Sequence, residues 1–317
     1  MPNGYLVTLG DNSLDTNDFI DASQIFFTIA STIGAGGWNW TGVWDGNGNT
    51  YSNIENVNTG AGDDNIFGNA ADNQLQGNEG NDTINGGGGN DFHNGGNGDD
   101  LFIANAGTNS FFGGNGIDTY QIAGTTEDDG TDLTINLQEG TDSQGNTSFG
   151  VENINSGSGD DVLRGSTDNN VLDGGAGDDT IFGDTGADTI EGGAGNDQID
   201  LGEDSDRDVV VLTDGSGNDT VTFFDVADSG DGTAIDQLDV SGLTSDGGTT
   251  PVTTVDVVVT DTNGDGTGDA ILTFPNGESI TLWGVSPSEV TSDAQLEAIG
   301  IPAAGTSHTD LSQLIYF

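Results

Sequence analysis

The sequence predicts an all-β protein made of two parallel β-rolls (β-solenoids), with β-rich capping domains on the N-terminal and C-terminal sides. Three observations lead there. Nine-residue units recur in phase over two blocks of the chain. All units but the fourth end in a three-residue segment with a large apolar residue at its middle position, which suits a short strand and not a helix. Glycine supplies 55 of the 317 residues, whereas hydrophobic residues make up only 32%. So little apolar surface sustains a fold only where a repeat, a bound cation or both supply the order.

Charge narrows the classes of function. Acidic residues number 54 against two basic ones, Arg164 and Arg207, for a formal net charge of −52. Two cations cannot neutralise a run of phosphates or hold an anionic lipid surface, so nucleic acid and membrane surfaces are not expected partners. Cations are. Cysteine is absent, which removes disulfide and thiolate chemistry. The opening MPNGYLVTLGDNSLD has no basic stretch and no long apolar run, so no Sec-type signal peptide is expected. No window approaches 18 consecutive apolar residues, and no membrane insertion is expected.

Residues 1–57 do not repeat and are read as an N-terminal β-domain that caps the first roll. YLVTL, QIFFTIA, WNWTGVW and NTYSNI have strand composition, and DGNGN that of a hairpin turn. Trp38, Trp40 and Trp44 alternate and therefore share a strand face. They are either the core of that small domain or an aromatic ligand platform.

Residues 58–121 hold the first block: TGAGDDNIF from Thr59, then GNAADNQLQ, GNEGNDTIN, GGGGNDFHN, GGNGDDLFI, ANAGTNSFF and GGNGIDTYQ. Residues 122–155, with DLTINLQEGTDSQGN, read as strands and a turn that bridge to the second block. That block, 156–206, runs SGSGDDVLR, GSTDNNVLD, GGAGDDTIF, GDTGADTIE and GGAGNDQID, and a further copy, DGSGNDTVT, starts at Asp214. Each unit is a six-residue turn followed by a three-residue strand, and two units make one coil. The strands are expected to bury Ile66, Leu75, Ile84, Phe102, Phe111 and Tyr120, then Leu163, Leu172, Ile181, Ile190 and Ile199. SNIENVNTGAGDD at Ser52 recurs as GVENINSGSGDD at Gly150, which places Glu55 and Glu152 at corresponding entrances to the two rolls. Duplication favours a structural or ion-ligating role for them over a catalytic pair.

The turns carry the chemistry. Glycine permits positive φ and tight turns with inward carbonyls. The aspartate at the sixth position adds a hard anionic oxygen, and a flexible cage of hard oxygens suits Ca²⁺. Sorted by parity, odd units of the first block place Asp64, Asp82, Asp100 and Asp118 on one edge, and even units place Asn73, Asp91 and Asn109 on the other. The second block gives Asp161, Asp179 and Asp197 on its odd edge, and the later copy adds Asp219 as a further candidate. Its even edge has Asn170 and Asp188, with Asp206 as candidate for the next rung. Calcium is expected to load the odd edge of the first block fully and its even edge poorly, about six to eight ions in all. Strands about 4.8 Å apart set neighbouring carboxylates in a repulsion of roughly 3.5 kcal/mol at an effective dielectric of about 20. Without a divalent ion the rolls are expected to be unfolded.

The units resemble the RTX nonapeptide GGxGxDxUx, in which U is a large apolar residue. That resemblance implies a right-handed parallel β-roll with several Ca²⁺ ions between stacked turns. It also implies type I secretion, in which the chain is exported unfolded and folds on meeting external calcium.

Residues 207–300 read as a C-terminal β-rich cap with strands DVVVL, TVTFFDV, DQLDV, TTVDVVVT, DAILTF and ESITLWGV, and a short helix at SDAQLEAIG. Within it, Asp261 to Asp269 has the D-x-N-x-D-G-x-x-D spacing of a calcium loop. Asp261, Asn263, Asp265 and Asp269 would give side-chain oxygens and Thr267 its carbonyl. The other reading of that loop is an acidic hairpin turn. The run from DAILTF to AIGIP resembles the segment preceding Hint (self-processing) domains of secreted marine alphaproteobacterial proteins. The resemblance breaks at Pro302, where Ala303 stands in place of a cysteine nucleophile, so no autoprocessing is expected. The tail, 301–317, resembles a type I secretion signal in its acidic Asp310 followed by Leu314, Ile315, Tyr316 and Phe317; a docking strand is the other reading.

No enzymatic activity is expected. The histidines are His93, in an apolar slot of the fourth unit, and His308 in the tail, with no zinc-binding spacing around either. The leading function is a secreted calcium-binding structural protein that self-associates into a surface layer, matrix or fibre. The alternative is an adhesin-like module for a glycan or a host surface. Outward strand positions mix Asn, Thr, Gln, Asp and Phe and lack the threonine ranks of an ice binder.

Overall fold

Within the repeats the chain advances one coil every 18 residues, and the triplet centres stack in columns that longer insertions continue. Ile66 pairs with Ile84, Ile84 with Phe102, Phe102 with Tyr120 and Tyr120 with Ile154, all in parallel register. On the facing sheet Val57 pairs with Leu75, Leu75 with His93, His93 with Phe111 and Phe111 with Ser148. The structure, a computed structural model, describes the strands at 19–21, 24–26, 43–44 and 50–51. It also describes 53–304, apart from 60–61, 123, 126–127 and 228–234. Trp38, Trp40, His308, Asp310 and the apolar tail Leu314 to Phe317 lie outside the described residues. The strands Val43–Trp44 and Thr50–Tyr51 pair antiparallel; the DGNGN segment expected to turn between them lies outside the described residues.

The chain divides into two units, Met1–Asp129 with Glu139–Asn155, and Gly130–Gln138 with Ser156–Phe317. In the first, one sheet is built on Asn65–Asn69, Thr83–Gly87, Leu101–Ile103, Thr119–Gln121 and Asn153–Asn155. The other is built on Asn53–Asn58, Gln74–Glu79, Phe92–Asn97, Ser110–Asn115 and Thr147–Phe149. Strand side chains alternate, so the middle residue of each triplet points between the sheets. Ile66, Ile84, Phe102 and Phe111 are fully buried there, and Leu75 and Tyr120 nearly so. The aromatic members touch, with ring centroids of Phe111 and Tyr120 4.7 Å apart and those of Phe102 and Phe111 5.6 Å apart.

The second unit repeats the plan. Leu163 stacks on Ile181 and Ile181 on Ile199 in one sheet, and Leu172 on Ile190 in the other. All five are 0–2% exposed. Strands expected from the sequence as a separate cap extend these ladders. Ile190 continues to Val210 and Leu238, and Ile199 continues to Val221, whose strand pairs parallel with Ser279–Leu282. Ala270–Thr273 and Val258–Asp261 turn back antiparallel. TTVDVVVT is not one strand: Thr254–Asp256 forms a 3₁₀ turn because Asp256 Oδ2 accepts the Thr253 N–H and hydroxyl, which closes a capping box. The helix Asp293–Ala298 opens on the Ser292 cap and buries Leu296, leaving Asp293 and Glu297 exposed. Among the described residues no helix is long and apolar enough to cross a membrane.

Candidate metal centre

Each turn's sixth residue bridges two coils. Asp82 Oδ1 accepts the Asp64 N–H, Asp100 Oδ1 the Asp82 N–H and Asp118 Oδ1 the Asp100 N–H, each at 2.8 Å. The even edge repeats this from Asn73 through Asp91 to Asn109. In the second unit Asp179 accepts from Asp161, Asp197 from Asp179 and Asp219 from Asp197, while Asp188 accepts from Asn170. A buried N–H must find a partner, and between strand triplets only this side chain is in reach.

One oxygen of each carboxylate is thus engaged. The other, Oδ2 of Asp82, Asp91, Asp100, Asp118, Asp179, Asp188 and Asp197, is buried with no hydrogen-bond partner. It faces the first glycine of its own turn. A Cβ on Gly77, Gly86, Gly95, Gly113, Gly174, Gly183 or Gly192 would run into the Oδ2 five residues on. Glycine at that position keeps the space beside the carboxylate open. The next glycine supplies the turn: Gly96 has φ +119° and a Cβ there would strike Asn78 O of the coil below.

Burial disfavours the charged form. It pushes Asp82 and Asp188 up to about 8, Asp118 and Asp179 to about 7, and Asp91 and Asp100 to about 6. Neighbouring carboxylates add to it, Asp100 and Asp64 acting on Asp82. Desolvated, mutually repelling carboxylates with open oxygens fit a hard divalent cation held between coils, with turn carbonyls and water completing the shell. Among the described residues no three His, Cys, Asp or Glu side chains converge, so such a site draws on aspartates of successive coils and on backbone oxygens. Ca²⁺ there would neutralise the repulsion that opposes stacking.

The family model for the RTX calcium-binding nonapeptide repeat (4 copies) matches residues 58–92, 94–120, 148–181, 155–190 and 176–208. The chain carries RTX repeats. They bind Ca²⁺, several ions to a repeat domain, and RTX proteins are typically extracellular. No curated protein sequence matches the chain. Among solved structures it is similar to the extracellular lipase LipA from Serratia marcescens, with 18% identity and a TM-score of 0.25. The match covers 80% of this chain and 42% of the lipase, so the chain spans less than half of that protein.

The RTX ladders include rungs that the nine-residue phase does not reach. Asp206 is not a rung: it is exposed and its N–H donates to Asp204 Oδ1. The coil after Asp188 is 20 residues long, so Asp208 takes the place, accepting the Asp188 N–H at 2.8 Å. Asp236 then accepts from Asp208. Both stand immediately before a strand triplet, VVV and QLD, and that signal would have found them. In the first unit the ladders close on residues outside the repeat, Glu152 Oε2 accepting the Asp118 N–H and Asn146 Oδ1 the Asn109 N–H. The Glu55 side chain lies outside the described residues. His93 sits in the apolar column, fully buried, stacked on Phe102 and with both ring nitrogens unpartnered.

The loop Asp261 to Asp269 joins two antiparallel strands. Its carboxylates are turned onto its own amides: Asp261 accepts the N–H groups of Asn263, Asp265 and Gly266, and Asp265 those of Thr267. Asp269 accepts the Gly284 N–H. The bonds from Gly266 and its neighbours hold Asp261 below the usual carboxylate range.

Proposed function

We propose that this is a secreted structural protein that folds on extracellular Ca²⁺ and self-associates at a surface or in a matrix. The buried carboxylate ladders support calcium-dependent folding, with Asp64, Asp82, Asp100, Asp118, Asp91, Asp161, Asp179, Asp197, Asp188 and Asp219 as ligands. Extracellular modules bind Ca²⁺ at about 10⁻⁴–10⁻³ M, so the chain would stay unfolded before export. The loop of Asp261, Asn263, Asp265, Thr267 and Asp269 would join them only by giving up amide contacts. Self-association is supported by a row of aromatic residues on the outer face of the first unit. Phe92 and Phe112 have ring centroids 5.0 Å apart and Phe112 and Phe149 5.3 Å. Phe92 is 40% and Phe149 50% exposed, the kind of surface a partner covers.

The experiment is a calcium titration of EDTA-treated protein, followed by circular dichroism and light scattering in parallel. A rise in β signal with growing particles supports the reading. A rise with a steady monomer removes self-association, and no response overturns calcium-dependent folding.

One observation favours the adhesin-like reading. A cleft of about 590 Å³ in the second unit is lined by Phe223, Trp283, Asp200, Glu203, Asp204 and Asp225. Exposed aromatic faces beside carboxylates suit the stacking and hydroxyl contacts of a sugar. Glycan-array binding by the calcium-loaded protein that is lost in Trp283→Ala would select it.

A further inference from the structure

The odd-edge ladder of the second unit reaches Asp219, and the turn carrying Asp219 opens on an acidic residue. Its first position is Asp214 in place of glycine, and that carboxylate is taken up by the Thr244 N–H and hydroxyl and by the Asn276 amide. A different carboxylate arrives from 63 residues away. Glu278 Oε1 accepts the Gly215 N–H at 2.9 Å, and the neighbouring Ser279 N–H donates to Gly217 O at 2.9 Å. Glu278 is only 8% exposed and its Oε2 is buried with no hydrogen-bond partner. The Ser216 hydroxyl, flanked by the two glycines just named, is 3% exposed and equally unpartnered.

Two buried polar side chains with an unpartnered oxygen each, one in the turn and one bonded to it, call for a partner. Among the described residues the two basic side chains make contacts elsewhere. They are Arg164, paired with Asp184, and Arg207, bonded to Ile235 O. A cation from outside would satisfy both, and hard oxygens of a carboxylate, a hydroxyl and a glycine turn suit Ca²⁺.

We propose that Glu278 and Ser216, with the turn Asp214 to Asp219, form a further Ca²⁺ site that ties the C-terminal strands to the last repeat turn. It lies beyond residue 208, where the family match ends. It rests on the reading of this chain as a calcium-folded protein, and it adds a consequence. Ion binding there needs both the turn and Glu278, so the strands Ala270–Thr273 and Ser279–Leu282 are held only in calcium.

The test counts bound calcium per full-length chain by equilibrium dialysis with metal analysis, and follows amide hydrogen exchange with calcium present. Glu278→Gln keeps an acceptor for the Gly215 N–H and removes the charge; Ser216→Ala leaves the Glu278 contact intact. Expected for Glu278→Gln are one ion fewer and at least tenfold faster exchange in the two C-terminal strands, with exchange over 83–121 unchanged. Ser216→Ala should weaken the same ion. Wild-type ion count and exchange in both variants overturn the site while leaving calcium-dependent folding intact. A wild-type chain that binds no calcium overturns both.

Discussion

Asp82 donates its backbone N–H to Asp100 Oδ1 at 2.8 Å, one coil on, while Asp100 Oδ2 stays buried with no hydrogen-bond partner. The two oxygens of one carboxylate therefore have separate tasks. The first holds coils in register, and the second is the oxygen proposed to meet an ion. Asparagine performs the first task alone, as Asn109 does when it accepts the Asp91 N–H at 2.9 Å.

Asp100→Asn should therefore separate them. The register bond survives, the calcium midpoint of folding rises about tenfold, or ~1.4 kcal/mol, and the metal-free protein at pH 8 becomes more stable because a buried charge is gone. Calcium titrations and urea melts of the variant and the parent read both effects. An unchanged midpoint would remove Asp100 from the ligand set.

Without metal, pH should act in a definite sense. Burial raises Asp82 and Asp188 from the usual 3.8 to about 8, and Asp118 and Asp179 to about 7. The folded chain then binds more protons than the unfolded one, so this stability is complete below about pH 4 and is lost as pH rises through about 8. Calcium, which needs the ionised form, should reverse the trend over the same range. Circular dichroism of EDTA-treated protein from pH 4 to 8, with and without calcium, checks both arms.

Gly95→Ala puts a Cβ against Asp100 Oδ2. The change is small in volume, yet the space is the one assigned to the ion. A loss of about 1–3 kcal/mol in urea melts at saturating calcium is expected, together with one fewer bound ion. Gly124→Ala is the control for an open position, since nothing lies within 4 Å of its Cβ, although its φ of +73° adds backbone strain of its own.

His93→Leu should stabilise the first unit by about 1–3 kcal/mol, because two unpartnered ring nitrogens leave an apolar column. Burial holds the His93 pKa down to about 3. Its folded form binds fewer protons than the unfolded chain, so the wild type loses stability as pH falls from about 6.5, the ordinary histidine value. The variant should lose less over that interval. Melts in calcium at pH 5 and 7.5 measure the difference.

Phe149→Ser removes the most exposed member of the aromatic row. Calcium-induced β signal should stay as in the wild type while particle growth by light scattering falls several-fold. Growth unchanged in Phe149→Ser and in Phe92→Ser would assign association to another surface.

Much of this was legible in the residues. The triplet centres Ile66, Ile84, Phe102 and Ile190 are buried as the nine-residue period predicts, because a repeat that closes on itself makes each position's environment a property of its phase. The aspartates from Asp82 to Asp197 fall on two edges by parity for the same reason. Asp208 and Asp236 were hidden by coils of 20 and 28 residues. Loop length is unconstrained once the chain leaves the period, provided that the next triplet returns to the ladder.

Period, parity and the identity of the sixth residue belong to the sequence by itself, and they determined the β-roll, its apolar columns and its appetite for Ca²⁺. Tertiary structure alone decided where each ladder closes. Glu152 meets Asp118 across 34 residues and Asn146 meets Asn109 across 37. Those partners share no spacing. They are chosen by a buried N–H that must be satisfied, and which side chain satisfies it depends on what the folded chain brings within about 3 Å.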